Sequence, residues 1–239
     1  MKRPSVGGFD MGSHKHNLVA LLPMKANSER IPGKNFKIFN GKPLYRWILD
    51  TLLSLEQIES IVINTDAREI LESDGLSNES RVQIRDRKPE ICGDRVSMNI
   101  VLEDDVNSID SEHYIMSHTT NPLLSSNTLA DALDSYFGVG LGSSHDSLFS
   151  VTRHQTRFYS AAGKAINHDP SNLVPTQELD PWYEENSNFY IFNKNGFQET
   201  RSRIGLKPIL YECSRIESVD IDEIDDWHIA QAAAGYLLK

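Results

Sequence analysis

The chain has 239 residues, of which 39% are hydrophobic, and a formal net charge of −10 at pH 7. This length is sufficient for one large hydrophobic core, and the excess of acids argues against non-specific nucleic-acid binding, which needs an extended basic face. The sequence has no apolar run of the roughly 18 residues that a membrane-spanning helix needs, and residues 1–17 lack the apolar core of a signal peptide; we therefore expect a cytoplasmic protein.

Hydrophobic periodicity predicts strands that alternate with helices after a mobile N-terminal tail, residues 1–17. Short apolar runs of the buried type predict strands at 18–22, 61–64, 81–84, 113–117, 148–152, 189–192 and 208–212. Apolar residues at helical spacing predict helices at 44–55, 98–106, 129–137 and 224–238.

This alternation predicts an α/β fold, with a single domain over residues 18–239 that contains a mostly parallel sheet and right-handed crossovers. Residues 138–187 interrupt the alternation with closely spaced glycines, a polar run and a proline-bearing segment. We predict an insertion or subdomain there rather than a second domain.

The loop after the first predicted strand is rich in cations. Residues 1–46 contain nine Lys or Arg against two acids, although the whole chain is acidic. A loop between a buried strand and a helix is where α/β proteins bind phosphates. Small polar residues there can turn their backbone N–H groups toward a phosphate, while Lys25, Arg30 and Lys34 neutralise its charge. This pattern predicts a triphosphate site; the alternative is a solvated basic loop.

Two common phosphate-binding motifs do not fit the sequence. The tripeptide Gly33-Lys34-Asn35 lacks both the earlier glycine and the following Ser or Thr of a Walker A loop. The glycines at 138–142 do not form the GxGxxG pattern of a dinucleotide-binding turn. A P-loop NTPase or a nicotinamide-dependent dehydrogenase is therefore disfavoured.

Two acidic residues near the C-terminus complement the basic loop. Asp220 and Asp222 are separated by one residue, and in an extended segment this spacing places both carboxylates on the same face. Such a pair suits a hard divalent cation such as Mg²⁺. The alternative is that Asp222 caps the N-terminus of the last predicted helix, whose dipole would also favour the acids that follow.

Several segments together resemble one enzyme family. Residues 22–35, LPMKANSERIPGKN, with GKPL at 41–44, resemble the nucleotide-binding signature of the acylneuraminate cytidylyltransferases. Further matches follow in the family's order: INTD at 63–66, RKPE at 87–90, HTTNPL at 118–123, TQEL at 176–179, ENSNFYIF at 185–192 and SVDID at 218–222. The resemblance covers residues 18–238.

This resemblance implies a three-layer, Rossmann-like fold of the nucleotide-diphospho-sugar transferase type with a small dimerisation insertion. It implies transfer of CMP from CTP to a sialic acid-like 2-keto-3-deoxy sugar acid, with release of pyrophosphate and with Mg²⁺ as the cofactor. Residues 153–183 resemble the family's dimerisation region, which implies a homodimer. No nucleic-acid or membrane partner is implied.

The resemblance also assigns roles to individual residues. The residues implied in catalysis are Lys25, Arg30, Lys34 and Asp220. The residues implied in nucleotide binding are Pro23, Lys25, Ala26, Asn27, Ser28, Arg30, Lys34, Asn35, Arg87 and Ser97. The residues implied in sugar binding are His118, Thr120, Gln177, Asn186 and Tyr190, and the implied metal ligands are Asp220 and Asp222.

Five positions depart from the family pattern. Lys25, Asn27 and Glu29 stand where relatives commonly have Arg, Gly and Lys, so the loop keeps positive charge but loses one cation and one flexible residue. His118 replaces the usual Gln, and its neutral imidazole is a candidate general base near pH 7; a histidine there can equally be simply hydrogen-bonded. Glu184 stands where an Arg can assist an acidic sugar.

These departures leave two other hypotheses open. The first is a nucleotidyltransferase that uses another nucleotide or an uncharged sugar derivative. The second is a non-catalytic nucleotide-binding protein whose loop substitutions have removed turnover.

Overall fold

The computed structural model describes residues 16–138 and 145–237. Within these ranges the strands are β1 (Leu18–Leu21), β2 (Ile38–Phe39), β3 (Lys42–Pro43), β4 (Ser60–Thr65), β5 (Val82–Asp86), β6 (His113–Ser117), β7 (Ser147–His154), β8 (Trp182–Asn193) and β9 (Pro208–Glu212). The helices are α1 (Leu44–Leu53), α2 (Arg68–Ser73), α3 (Met98–Ser108), α4 (Ser126–Gly138), α5 (Lys194–Thr200) and α6 (Ile224–Leu237).

The main sheet has seven strands in the order β5-β4-β1-β6-β8-β7-β9. Strands β5, β4, β1 and β6 are parallel, β8 is antiparallel to both of its neighbours, and β9 is parallel to β7. The predicted α/β fold with a mostly parallel sheet is therefore confirmed. No helix within the described residues is long and apolar enough to cross a membrane.

Helices cover both faces of the sheet, which gives the predicted three layers. Successive residues of a strand point to opposite faces, and β1 is buried along its whole length. Leu18 and Ala20 pack with residues of α1 and α4 on one face. Val19 and Leu21 pack with residues of α3 and α5 on the other.

A third apolar cluster lies beneath the basic loop. Ile31 and Phe39, which follow β1 in the chain, pack with Ile221 and with Trp227 of α6. This cluster holds the C-terminal helix against the loop, although the two are about 190 residues apart in sequence. It places the segment before α6 beside the loop.

The elements that the sequence did not predict are short or polar. Helices α2 and α5 have six and seven residues, and the β2–β3 hairpin has two residues in each strand, so none shows a full hydrophobic period. The first half of β8, residues 182–187, is mostly exposed and therefore lacks the apolar pattern of a buried strand.

Part of the predicted insertion belongs to the main sheet. Strand β7 and the first half of β8 pair with each other within residues 138–187, which leaves residues 155–181 as the irregular segment between them. Residues 139–144 of this region, and most of the predicted tail at 1–17, lie outside the described residues. The division into a domain and an insertion stays a prediction.

The β7–β8 pair projects past the edge where the parallel strands end. Ser117, the last residue of β6, pairs with Phe189, whereas Trp182 at the start of β8 pairs with His154 at the end of β7. At a rise of about 3.3 Å per residue, this extension is roughly 20 Å long. We call residues 151–154 and 182–188 the arm.

Candidate active site

The structure brings the basic loop and the acidic pair to one edge of the sheet. The parallel strands β1, β4 and β6 all end there, so that residues 22–33 and His118 follow strands that end side by side. The segment 219–222 lies along this edge, because the N–H of Ile221 donates a hydrogen bond to the carbonyl of Thr120 at 2.8 Å. This edge is the candidate active site.

A buried ammonium group joins the basic loop to the acidic segment. Lys34 Nζ donates to the Ile221 carbonyl at 2.5 Å and lies 3.2 Å from Asp222 Oδ1. An Arg30 guanidinium nitrogen lies 2.8 Å from the same carboxylate oxygen. Although burial acts to raise the pKa of Asp222, the charges of Lys34 and Arg30 outweigh it and hold that pKa below its usual value.

A tight turn at Gly33 also directs the side chain of Asn35 toward the interior. Gly33 has a φ of +61°, a left-handed conformation that glycine adopts without steric cost, and it precedes the 3₁₀ helix Lys34–Phe36. The buried Asn35 donates from Nδ2 to the Lys25 carbonyl at 2.8 Å, and its Oδ1 accepts from Thr119 Oγ1 at 2.6 Å. Asn35 therefore ties the start of the loop to the end of β6.

Two acids hold the outer part of the loop. Lys25 forms an ion pair with Asp94, and the N–H of Ala26 donates to Asp66 Oδ1 at 2.6 Å. Of the other loop residues predicted to bind the nucleotide, Pro23 is buried, Ser28 is partly exposed and Asn27 is exposed. Lys25 and Ala26 are therefore both anchored beside the end of β4.

Asp220 has a carboxylate oxygen without a partner. Its Oδ1 is buried and receives no hydrogen bond from the described residues. Burial raises the pKa of Asp220, and the nearby charge of Asp222 adds to this effect. An orphaned carboxylate oxygen beside a second carboxylate is a site that a cation would satisfy.

The donor set of Asp220 and Asp222 fits Mg²⁺. This ion commonly binds one or two carboxylates and completes its shell with substrate phosphates and water. The described residues contain no group of three or more His, Cys, Asp and Glu side chains placed to hold a metal ion by themselves. The geometry therefore fits a metal that arrives with a phosphorylated substrate rather than a resident structural ion.

The helix-capping alternative for Asp222 does not describe this structure. Asp226 Oδ2, in the first turn of α6, accepts from the backbone N–H groups of Asp222 and Glu223 at 3.0 and 2.8 Å. This is the backward-reaching half of a capping box. The carboxylate of Asp222 instead faces Arg30 and Lys34.

Arg87 is tied into a polar network at the end of β4. Its Nε donates to Asn64 Oδ1 at 2.9 Å, and one terminal nitrogen donates to the carbonyls of Asn64 and Met24 at 2.7 and 3.1 Å. Asn64 Nδ2 in turn donates to the fully buried Asp105 at 2.8 Å. Arg85 forms an ion pair with the same carboxylate. The chain of contacts links α3 to the start of the basic loop.

A cavity of about 500 Å³ opens beside this network. It lies between the basic loop, the end of β4 and the start of α2. Its lining residues are Ala26, Thr65, Asp66, Ala67, Arg68, Glu69, Ile70, Asp86 and Arg87. Ala26 and Arg87, both predicted to bind the nucleotide, thus share one cavity, whereas Ser97 lies at the exposed N-cap of α3.

His118 is held neutral at the end of β6. Burial lowers its pKa to about 3, and the positive charge of Arg203 contributes to the shift. An Arg203 terminal nitrogen lies 3.4 Å from His118 Nε2, and because arginine only donates, this contact favours the tautomer in which Nδ1 carries the proton. A group with this pKa accepts a proton poorly at neutral pH, which disfavours His118 as the general base.

Arg203 was missed by the sequence analysis. It lies between α5 and β9, in no recognised motif, yet its guanidinium carbon stacks 3.8 Å from the ring centre of Tyr190. Tyr190 Oη donates to Glu185 Oε1 at 2.5 Å, and Arg203 lies 3.3 Å from that oxygen. His118 and Tyr190, both predicted to bind sugar, are therefore brought together by Arg203.

Two other predicted sugar-binding residues have different surroundings. Asn186 is buried, with Nδ2 donating to Thr152 Oγ1 and Ser218 Oγ at 3.1 and 3.0 Å and Oδ1 accepting from Ser150 Oγ at 2.6 Å. These bonds hold the base of the arm. Gln177 is exposed in the irregular segment. Within the described residues, its side chain makes no hydrogen bond with His118, Tyr190 or Arg203.

Comparisons with known proteins agree with this geometry. The model of the family described as "Cytidylyltransferase" matches residues 19–235. The chain is 30% identical to the N-acylneuraminate cytidylyltransferase of Oncorhynchus mykiss over 93% of its own length and 51% of that protein's. It therefore spans about half the length of this and the other first curated relatives, which include streptococcal proteins of the same description.

Two further similarities cover nearly whole proteins. The CMP-N,N'-diacetyllegionaminic acid synthase of Legionella pneumophila is 23% identical over 90% of this chain and 94% of that protein. A solved structure of CMP:2-keto-3-deoxy-manno-octonic acid synthetase complexed with CTP superimposes with a TM-score of 0.66, covering 92% of this chain and 99% of that one. Its sequence identity is 12%, so it supports the fold alone.

Replacing Asp105 by Asn tests the buried network through pH. Burial raises the pKa of Asp105 to about 6, against opposing effects of Asn64 and Arg85, from a value of 3.8 in a solvated chain. The native state therefore holds this proton to higher pH than the unfolded state. The resulting stability is present below about pH 4 and is lost as the pH rises through about 6.

Between pH 4 and pH 7, urea denaturation should show the free energy of unfolding of wild type falling by about 1–3 kcal/mol relative to that of Asp105→Asn, because the amide of the variant does not titrate. The amide oxygen can still accept from Asn64 and Arg85, so the variant should fold. Asp134→Asn, which removes an exposed carboxylate of α4, is the control for lost charge alone. A wild-type-to-variant difference that is constant with pH would contradict the prediction.

Proposed function

The chain belongs to the cytidylyltransferase family, and we propose that it transfers CMP from CTP to a sialic acid-like 2-keto-3-deoxy sugar acid and releases pyrophosphate. The observation that carries this proposal is the contact of Lys34 and Arg30 with Asp222, which puts a cationic loop and a carboxylate pair at one strand edge. The names of the relatives, which include N-acylneuraminate and legionaminic acid enzymes, support the acceptor class.

In this reaction the anomeric hydroxyl of the sugar acid attacks the α-phosphorus of CTP in line. A new P–O bond forms while the bond to the bridging oxygen of the β-phosphate breaks, pyrophosphate leaves with the electron pair, and the proton of the attacking hydroxyl is released to water. Lys25, Arg30 and Lys34 stabilise the negative charge on the phosphates. Arg30 is suited to follow the triphosphate because its side chain is about half exposed, whereas Lys34 is fixed and buried.

Asp220 and Asp222 would hold Mg²⁺ in this enzyme. The bound ion supplies charge neutralisation at the phosphate oxygens. The buried Oδ1 of Asp220, which receives no hydrogen bond from the described residues, supports this role. Arg30 and Lys34 keep Asp222 ionised and oriented toward the loop.

The nucleotide and sugar sides of the site have separate residues in this proposal. Ser28 and Asn35 hold the phosphates and the nucleotide, with Arg87 and Ser97 lining its pocket. The group around His118, Thr120 and Tyr190 faces the sugar, Gln177 contributes from the irregular segment, and Asn186 supports the base of the arm beside them. We also propose a cytoplasmic location, which is compatible with the use of CTP.

Pyrophosphate release tests the reaction directly. We expect CTP- and Mg²⁺-dependent release with at least one member of a panel of 2-keto-3-deoxy sugar acids, and no comparable release with UTP, ATP or GTP. Thermal shifts with the four nucleotides provide a binding readout that does not depend on the acceptor. Turnover with another nucleotide would favour the alternative nucleotidyltransferase, and the absence of turnover with every acid would contradict the proposal.

Replacing Asp220 by Asn tests the metal role. We expect turnover to fall on the order of 100-fold or more, because a charge-neutralising group at the phosphates is lost. The dependence of CTP affinity on Mg²⁺ should disappear as well. The fold should not suffer, since the change replaces a buried carboxylate whose Oδ1 receives no hydrogen bond from the described residues.

The control for this variant is Asp225→Asn, which removes an exposed acid from the first turn of α6. It should behave as wild type. If Asp220→Asn leaves both the turnover and the effect of Mg²⁺ on CTP binding unchanged, the pair does not bind the metal. Wild type that binds CTP but shows no turnover would instead favour a non-catalytic nucleotide-binding protein.

We further propose that the chain forms a homodimer through the irregular segment and the arm. Large apolar side chains are exposed there: Tyr159, Ile166, Leu173, Trp182 and Tyr183. A second copy of the same surface would cover them in a two-fold arrangement.

Light scattering at micromolar concentration should give twice the chain mass of 27.0 kDa. Leu173→Glu should shift the mass toward one chain, because it places a charge in the proposed apolar contact. Ile229→Glu, on the exposed face of α6, is the matched control and should leave the mass unchanged. A wild-type monomer would contradict this assembly.

A further inference from the structure

Arg203 is an enclosed guanidinium with only long contacts. Its side chain is 17% exposed. Its terminal nitrogens lie 3.4 Å from His118 Nε2, 3.3 Å from Glu185 Oε1 and 4.0 Å from Met116 Sδ. Charge-assisted N–H···O bonds are normally about 2.7–2.9 Å long. Within the described residues, the donors of Arg203 are therefore satisfied only weakly.

Another enclosed arginine at the same strand edge is different. Arg87 makes three contacts of 2.7–3.1 Å with the oxygens of Asn64 and Met24. That guanidinium is a structural tie whose acceptors are supplied by the protein. Arg203 lacks such acceptors, so the donors of this partly enclosed guanidinium are available to a ligand that supplies stronger ones.

The position of Arg203 is fixed although its donors are not fully used. Its flat face lies against the ring of Tyr190, and its backbone N–H donates to Asn99 Oδ1 at 3.3 Å. The backbone that follows is anchored by Asp146, which accepts from the N–H groups of Leu206 and Lys207 at 2.7 and 3.1 Å. The guanidinium is thus held ready for a ligand.

Gly205 makes this anchoring possible. Its N–H donates to Ser147 Oγ at 2.9 Å, and a Cβ at this position would lie only 2.2 Å from Asp146 Oδ1. A side chain would therefore displace the carboxylate that holds the loop. This close packing leaves no room for a side chain at position 205.

The charges around Arg203 favour an incoming anion. Its one acidic contact, Glu185, is about 40% exposed, and the same oxygen already accepts from Tyr190 Oη at 2.5 Å. The next acid on the arm, Glu184, pairs with His154 at 2.7 Å. A ligand carboxylate that makes two short bonds can displace a single 3.3 Å contact.

Arg203 is also close to the reaction centre. The pKa of His118 responds to the charge of Arg203 and to the charges of Lys34 and Asp222. Arg203, Lys34 and Asp222 therefore all lie near enough to His118 to interact electrostatically with its imidazole. In a 2-keto-3-deoxy sugar acid the carboxylate is attached to the anomeric carbon, whose hydroxyl attacks the phosphorus, so an anion receptor is needed near this centre.

We propose that Arg203 is the specificity-determining residue that binds the carboxylate of the acceptor, with Tyr190 supporting the guanidinium from behind. The proposal rests on the proposed function, because it assigns a partner to the acid group of that acceptor. It places the residue that distinguishes acidic from uncharged acceptors in the loop between α5 and β9. None of the individual motifs that resemble the family includes this loop.

Steady-state kinetics with a sugar acid and its uncharged C1 amide test this role. Wild type should prefer the acid. Arg203→Gln should raise KM for the acid about 10- to 100-fold and remove the preference, while KM for CTP stays unchanged. Arg203→Lys should recover only part of the loss, because an ammonium cannot bind a carboxylate in bidentate geometry.

The matched control is Arg201→Gln, two residues earlier, where an exposed side chain pairs with Glu103. It should keep the wild-type preference. Thermal shift with CTP checks that each variant is folded, and if Arg203→Gln is not, Arg203→Lys is compared with wild type on the same acid-to-amide ratio.

Two results would overturn the proposal in distinguishable ways. If wild type turns over the acids but Arg203→Gln keeps the wild-type preference for acid over amide, the carboxylate is bound elsewhere and this inference alone is wrong. If wild type releases no pyrophosphate with any acid, the proposed function is wrong and the inference falls with it. Loss of CTP binding in folded Arg203→Gln would also contradict it, by showing a nucleotide-side role.

Discussion

The site depends on the buried ammonium of Lys34. It bonds to the carbonyl of Ile221 and pairs with the carboxylate of Asp222, so it joins the first loop of the chain to the last extended segment. An unpaired buried ammonium would cost several kcal/mol, and pairing it requires that both segments be in place. The cluster of Ile31 with Trp227 beneath this contact makes the same connection with apolar area. Charge and packing therefore specify one arrangement of loop and acidic segment.

This arrangement leaves the site incompletely neutralised. Asp222 is shared by two cations, whereas Asp220, two residues earlier, has a buried oxygen without a donor. Folding alone would favour a partner for that oxygen. Its retention at the strand edge, opposite a cationic loop, is the pattern expected where a ligand rather than the protein completes the charge balance. Elsewhere at this edge, the side chains of Asn35 and Arg87 are hydrogen-bonded within the protein.

The sequence predicted best what depends on local pattern. Strand β6 was predicted with its observed bounds, because a buried strand is a continuous apolar run. The first half of β8 was not, since a strand pair that projects from the sheet exposes both faces and keeps no apolar period. The seven-residue α5 was too short to show a period of its own. Length and burial, rather than type of element, decided which predictions succeeded.

Side-chain direction could not be read from sequence. The resemblance predicted Arg87 and Asn186 as site residues, but it could not reveal that hydrogen bonds within the protein occupy both side chains. For the same reason the sequence could not show that the Asp226 side chain, rather than that of Asp222, bonds to the backbone at the start of α6. No sequence motif pointed to Arg203, because its proposed role depends on contacts with residues at β6 and β8 that are distant in sequence.

The topology separates the regions that we propose for the two substrates. The basic loop, the cavity beside it and the Arg87 network belong to the parallel strands β1 and β4, whereas His118, Tyr190, the arm and Arg203 surround the junction of β6 with the antiparallel β8. Substitutions on the arm can therefore alter acceptor contacts without moving the ties that hold Lys25 and Lys34. The acidic residue at position 184 is an example: it pairs with His154 at the exposed end of the arm. Under the proposed function, acceptor choice can diverge on this scaffold while nucleotide binding is kept.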